Sequence, residues 1–149
     1  CHAIHAVLKN PPIPTKSWPF SLISGGRRLA TFNTWTKNIP SLMKNTDENV
    51  ATMHTEDAIK INIKEGGMIE ITTASGFIKL KAKPSDLIRP GVVMVQQFWG
   101  HKFDSSQTLA KQKPGVNVNY LHSDQVLCQF TGMPVFNGTP CRITKFSSI

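Results

Sequence analysis

At 149 residues, 40% of them hydrophobic, the chain has the size of one compact domain that can bury a core without disulfides, and no run of about 20 apolar residues offers a membrane-spanning helix. Seventeen Lys and Arg against nine Asp and Glu give a formal net charge of +8. The first 46 residues hold Lys9, Lys16, Arg27, Arg28, Lys37 and Lys44 and no acid. Such a field favours an anionic partner: nucleic acid, a phosphorylated cofactor or an acidic protein.

Cys1, Cys128 and Cys141 are odd in number and include no C-x-x-C pair, which argues against a disulfide framework, a zinc site or an iron–sulfur cluster, so they read as incidental or buried thiols. A start at Cys1, with neither an initiator Met nor a charged-then-apolar leader, reads as a segment of a longer chain.

Taken in chain order, residues 1–19 carry Pro11, Pro12, Pro14 and Pro19, which block helix and strand ladders and predict an extended linker. The globular domain is expected over 20–149. Residues 20–24 predict a short strand that stops at Gly25-Gly26, with Arg27 and Arg28 following at once. Residues 54–61 predict a short helix with Thr55 as N-cap and two acids in its first turn. A hairpin follows: residues 68–73 place Ile69, Ile71 and Thr73 on one face, and residues 77–82 place Ile78, Leu80 and Ala82 on one face with Lys79 and Lys81 outward. Arg89-Pro90-Gly91 predicts a turn into a buried strand at 92–95. Residues 101–124 show no period and are too long for an ordinary connection, which marks them as a functional or partly mobile loop. Residues 141–146 supply a last strand. Short strands outnumbering helices predict a mainly β fold, a closed or nearly closed barrel with one or two helices and no visible internal repeat.

No nucleophile–base motif, phosphate-binding glycine loop of the common types or zinc-helix motif is present. His2, His5, His54, His101 and His122 are scattered and read as surface or capping residues. Ser24-Gly25-Gly26-Arg27-Arg28 combines a glycine turn after a strand with two guanidiniums, which suits phosphate through backbone N–H groups and bidentate pairing. By itself it reads equally as a tight turn with solvated arginines. Asn33, Trp35 and Asn38 offer amides for a base or pterin edge and an indole for a flat ring, or else a core Trp and two turn asparagines. Trp99-Gly100-His101 and residues 115–121, which include Asn119, repeat the same chemistry. At this level a basic barrel binding single-stranded nucleic acid and an assembly module docking an acidic partner both stand as alternatives. Against the former, aromatic residues make up only 8% of the chain and sit mostly in apolar runs.

The order of these pieces resembles the molybdopterin dinucleotide-binding, C-terminal domain of the dimethyl-sulfoxide-reductase family of molybdenum and tungsten oxidoreductases. The resemblance runs from about Phe20 to Phe146. It is carried by L-I-S-G-G-R-R-L at 22–29, N-T-W-T-K-N-I-P at 33–40, M-H-T-E-D-A at 53–58, G-G-M-I-E-I at 66–71, I-R-P-G-V-V at 88–93, W-G-H at 99–101, N-V-N-Y-L at 117–121 and P-V-F-N-G-T-P-C-R-I at 134–143. Gly26 is an extra glycine against the family's usual loop, and Thr34 stands where serine is common. The resemblance implies a double-psi β-barrel with a few short helices, closing over molybdopterin guanine dinucleotide. It implies Gly25, Arg27 and Arg28 at the phosphates or guanosine, Asn33, Trp35 and His101 near the dinucleotide, and Asn119 and Asn137 in the same site. It further implies preceding catalytic domains in the same large subunit, possible iron–sulfur and membrane-anchor subunits, and no nucleic acid. The metal-ligating residue belongs to those preceding domains, so the chain alone is expected to turn over no substrate.

Overall fold

In a computed structural model, described for residues 14–26, 35–44, 48–102, 108–128 and 130–146 (of Trp35 the backbone alone), six strands close into a barrel. They are Phe20–Gly25 (β1), Val50–Met53 (β2), Met68–Thr72 (β3), Phe77–Pro84 (β4), Val92–Gln96 (β5) and Asn137–Lys145 (β6). Three short helices, Pro40–Met43 (α1), Thr55–Lys60 (α2) and Thr108–Gln112 (α3), and 3-10 turns at Trp35–Asn38 and Val118–Leu121 fill the connections.

The strand order around the barrel is β1-β5-β2-β4-β3-β6, with β6 returning to β1. Two neighbouring pairs are parallel, β1 with β5 and β2 with β4, and the other four are antiparallel. Exchanging β1, β2 and β3 for β4, β5 and β6 reproduces every pairing and its direction. This pseudo-twofold exchange, with two interlocked parallel crossovers, is the double-psi arrangement, so the mainly β barrel expected from the sequence is the fold observed.

Alternation along the strands explains the core. Leu22, Ala51, Met53, Ile69, Ile71, Ile78, Leu80, Ala82, Val93, Val95, Cys141 and Ile143 are buried, every second residue of their strands, and Ala58, Val118 and Leu121 join them from the connections. Each large aliphatic side chain withdrawn from water in this way contributes roughly 1.5–3 kcal/mol. Outside, Lys79 pairs with Glu70 at 3.8 Å and Lys81 with Glu48. The outward orientation of both lysines is therefore observed.

Several local expectations need correction. Strand β2 was not anticipated; its four residues are too few to display a period. The last strand begins at Asn137, four residues before the expected start, because Gly138 at φ +82 forms a bulge: Leu22 pairs with Thr139 but Ile23 with Asn137. Helix α2 is capped by His54, whose Nδ1 accepts from the Glu56 N–H at 3.2 Å, since Thr55 is already helical. Residues 92–95 form a strand buried on one face only, through Val93 and Val95. The stretch 101–124 is not wholly irregular, for it contains α3 and the turn Val118–Leu121. Of the expected linker, residues 1–13 lie outside the described residues.

Candidate functional site

Because β1 and β5 are parallel and Gly25 pairs with Gln96, both strands end at the same end of the barrel, and β6, antiparallel to β1, begins there. Three segments meet at that end: the exit of β1, residues 97–101 after β5, and Asn137 at the start of β6. The Gln97 N–H donates to the Gly25 carbonyl at 3.3 Å, and Gln97 Nε2 donates to the Ser24 carbonyl at 2.9 Å. The bulge turns Asn137 so that its Oδ1 accepts from the Ser24 N–H at 3.2 Å.

A fourth segment is tied in by two buried polar anchors. Asn49 donates to the Val116 carbonyl at 2.9 Å and accepts from the Val116 N–H at 3.0 Å, so it pairs with that backbone as a strand would. Thr73 donates to the Leu121 carbonyl at 2.9 Å from the β3–β4 turn. Gly115, at φ +58, lies flat on Trp99; a Cβ there would collide with the indole and stand 2.8 Å from Asn49 Oδ1. These contacts hold residues 115–121 against residues 97–101.

Between them lies a cleft of about 490 Å³ lined by Gln97, Phe98, Trp99, Gly100, His101, Asn117, Asn119 and Phe136. It offers amides, aromatic faces and glycine backbone, and no carboxylate among the described residues lines it. Phe98 is held at φ +69, an uncommon conformation for a bulky residue, and His101 Nε2 donates to its carbonyl at 3.3 Å. Behind the cleft, Lys37 is buried with its ammonium 2.9 Å from the centroid of the Trp99 ring, so a positive charge backs the indole. Trp99 Nε1 is buried and meets no acceptor among the described residues. A buried N–H in that state suits a ligand that brings an oxygen or nitrogen acceptor. The donor set therefore fits a polyanionic dinucleotide with flat rings.

Of the residues expected from the sequence, His101 and Asn119 line this cleft, and Gly25 and Asn137 adjoin it through Gln97 and Ser24. Arg27, Arg28 and Asn33 lie outside the described residues, and Trp35 is described only as backbone in the turn Trp35–Asn38. Lys37, Gln97 and Phe136 were not singled out from the sequence. Asn38, instead of facing the cleft, accepts from the Leu109 N–H at 2.8 Å and caps α3.

A larger hollow of about 590 Å³ lies elsewhere, beside His122. The His122 ring bridges Ser24 Oγ and Thr139 Oγ1, the latter at 3.2 Å, and meets the Phe136 ring edge-on with centroids 5.2 Å apart. Burial holds its pKa below the ordinary 6.5, which favours the neutral ring. With Ser24 buried, this linked set is a clamp between β1, β6 and the loop after Leu121 rather than an exposed nucleophile and base. Among the described residues no group of His, Cys, Asp and Glu could hold a metal ion.

Residues 20–140 match the family model described as "Molydopterin dinucleotide binding domain". The chain belongs to that family. Over 73 residues, 48% of this chain and 10% of the relative, it is 33% identical to a nitrate reductase of Symbiobacterium thermophilum. In structure it resembles acetylene hydratase from Pelobacter acetylenicus with a TM-score of 0.77 at 19% identity, over 92% of this chain and 21% of that one, a likeness of fold. The chain thus spans about a tenth and about a fifth of the lengths of these two proteins. The molybdopterin dinucleotide-binding domain is accordingly the identity of this barrel, and the nucleic-acid reading is not favoured.

Proposed function

We propose that the cleft end of the barrel holds the guanine form of the dinucleotide, in a larger molybdenum or tungsten oxidoreductase whose other domains carry the catalytic groups. The observation that supports this reading is a cleft lined by His101 and Asn119 and, among the described residues, by no carboxylate, with Gly25 and Asn137 held beside it through Gln97 and Ser24. In it, the backbone at Gly25 and the guanidiniums of Arg27 and Arg28 meet the phosphates or guanosine, the arginines pairing bidentately with anionic oxygens. Asn33, Trp35 and His101 lie along the dinucleotide, and Asn119 and Asn137 present amides to its ring edges. Trp99, buried between Lys37 and Gly115, braces the cleft wall and holds an N–H donor that meets no acceptor among the described residues.

When bound, the group brings the metal at which the redox reaction takes place. The protein's own part is to orient it, screen it from water and neutralise its phosphates. On this reading the isolated chain turns over no substrate, and reduction or oxidation of a viologen dye by the chain alone would contradict it. Iron–sulfur and membrane-anchor subunits belong to the same proposal as partners of the complete enzyme. The deciding measurement is the guanosine monophosphate released by mild acid hydrolysis from the protein purified from its source. About one or two equivalents per chain are expected, one for each dinucleotide on the metal; none from intact, active protein would overturn the guanine assignment.

A further inference from the structure

Residues 126–128 and 130–135 pair as a short hairpin beyond the barrel. The Val135 N–H donates to the Val126 carbonyl at 3.0 Å, the Cys128 N–H to the Met133 carbonyl at 2.7 Å and the Gly132 N–H to the Cys128 carbonyl at 2.8 Å, and Leu127 bridges to Pro134. The sequence of this hairpin contains no charged residue. Its apolar side chains point outward: Val126 is 57% exposed, Leu127 48%, Phe130 48% and Met133 60%. Val126 and Val135 at its base also line the 590 Å³ hollow, together with Trp18 and Pro140. Hairpin and hollow are therefore continuous through Val126 and Val135, an apolar surface beside which the hollow also presents Asp124, Ser123 and Thr139.

We propose that this surface is where the domain docks on the remaining polypeptide of its own enzyme, the hairpin covering an apolar patch and the hollow receiving an apolar side chain. The inference rests on the reading of the chain as one part of a larger enzyme. Its two named relatives carry several times more polypeptide than the barrel accounts for. Charge argues against a second copy as the occupant, since two chains of net charge +8 repel one another, whereas an acidic rim on the partner surface would be attracted. Arg142, whose guanidinium carbon is 5.9 Å from the Trp18 ring centroid, sits beside the hollow to meet such a rim.

The hairpin carries its own reporter. Cys128 is partly exposed, and hydrogen bonds from the Thr131 side chain and from the backbone of Phe130 and Thr131 hold its thiol below the ordinary pKa of 9.0. Cys141 is buried in the barrel, which pushes its pKa up to about 12, and it serves as the unreactive control. In the full-length enzyme, maleimide labelling of Cys128, read by peptide mass spectrometry, is expected to be about tenfold or more slower in the native state than after denaturation. The double substitution Phe130→Asp and Met133→Asp is expected to restore fast labelling of Cys128 while Cys141 stays protected, which shows that the barrel itself remains folded. Fast labelling of Cys128 in native enzyme that still releases guanosine monophosphate would overturn the docking surface and leave the cofactor reading standing. Protection of Cys128 without guanosine would do the reverse. A photo-crosslinker at Met133 should yield adducts to upstream peptides of the same chain; adducts to a second copy would overturn the proposal.

Discussion

The two ends of this barrel are related by its pseudo-twofold exchange, yet they are finished differently. At one end β1 and β5 stop at Gly25 and Gln96, and their continuations leave a cleft of amides, glycines and aromatic rings. At the other, β2 and β4 end at Met53 and Pro84, and α2 follows with Ala58 in the core. There the buried Asp57 carboxylate accepts from the Gly91 N–H at 2.6 Å and pairs with Lys60 at 3.5 Å, tying α2 to the turn before β5. The shared topology builds the wall, and the connections decide which end is sealed and which receives a ligand.

The sharpest way to break this contrast is at Gly115. Gly115→Ala pushes a methyl into the Trp99 ring at a positive φ, and overpacking plus backbone strain should cost roughly 3 kcal/mol in barrel stability. The guanosine content should fall with it, because Trp99 and residues 97–101 move. Barrel opening can be followed by the rate at which the buried Cys141 becomes reactive. A variant with full guanosine content and unchanged Cys141 protection would mean that the packing of Gly115 on Trp99 does not support the cleft.

At the sealed end, Asp57→Ala removes the acceptor of the Gly91 N–H and should cost roughly 2 kcal/mol. Here the two readouts should separate: Cys141 labels faster while the folded protein keeps its guanosine. Loss of guanosine in proportion to the Gly115 variant would show that the ends are coupled and that the division drawn between them is wrong.

How much of this was legible in the sequence follows the same division. Strands β1, β3 and β4 announce themselves because their inward residues alternate strictly and their turns carry Gly or Ser. Strand β2, reading Val-Ala-Thr-Met, does not, since Ala and Met bear no strand signal and four residues show no period. The pseudo-twofold exchange leaves no visible repeat, because strand pairing demands only alternation and says little about residue identity. On or beside the cleft, His101 and Asn119 line it and Gly25 and Asn137 adjoin it, and all four positions stand out by motif order. Lys37, Gln97 and Phe136 could not, since only the closed barrel brings them to the cleft. Asn38 was open between site and turn, and its role as the cap of α3 depends on a contact 71 residues away.

The smallest effect is expected at His122, on the cleft side where β1 stops and β6 begins. Burial lowers its pKa in the folded chain below 6.5, so as pH falls through this range the unfolded chain takes up a proton that the folded chain resists. Its contribution to stability is therefore complete above about pH 6.5 and is lost as the pH falls from there toward the lower folded value. Protonation also alters the clamp, because a doubly protonated ring can only donate to Ser24 and Thr139, whose hydroxyls must then both accept. The wild-type curve alone does not isolate this group from the rest of the protein. The comparison is with His122→Gln, which retains hydrogen-bonding capacity but does not titrate: its Cys141 protection should fall less between pH 7.5 and 5.5 than that of the wild type. Equal falls in the two proteins would assign the acid sensitivity to other groups and leave His122 a purely geometric tie between β1 and β6.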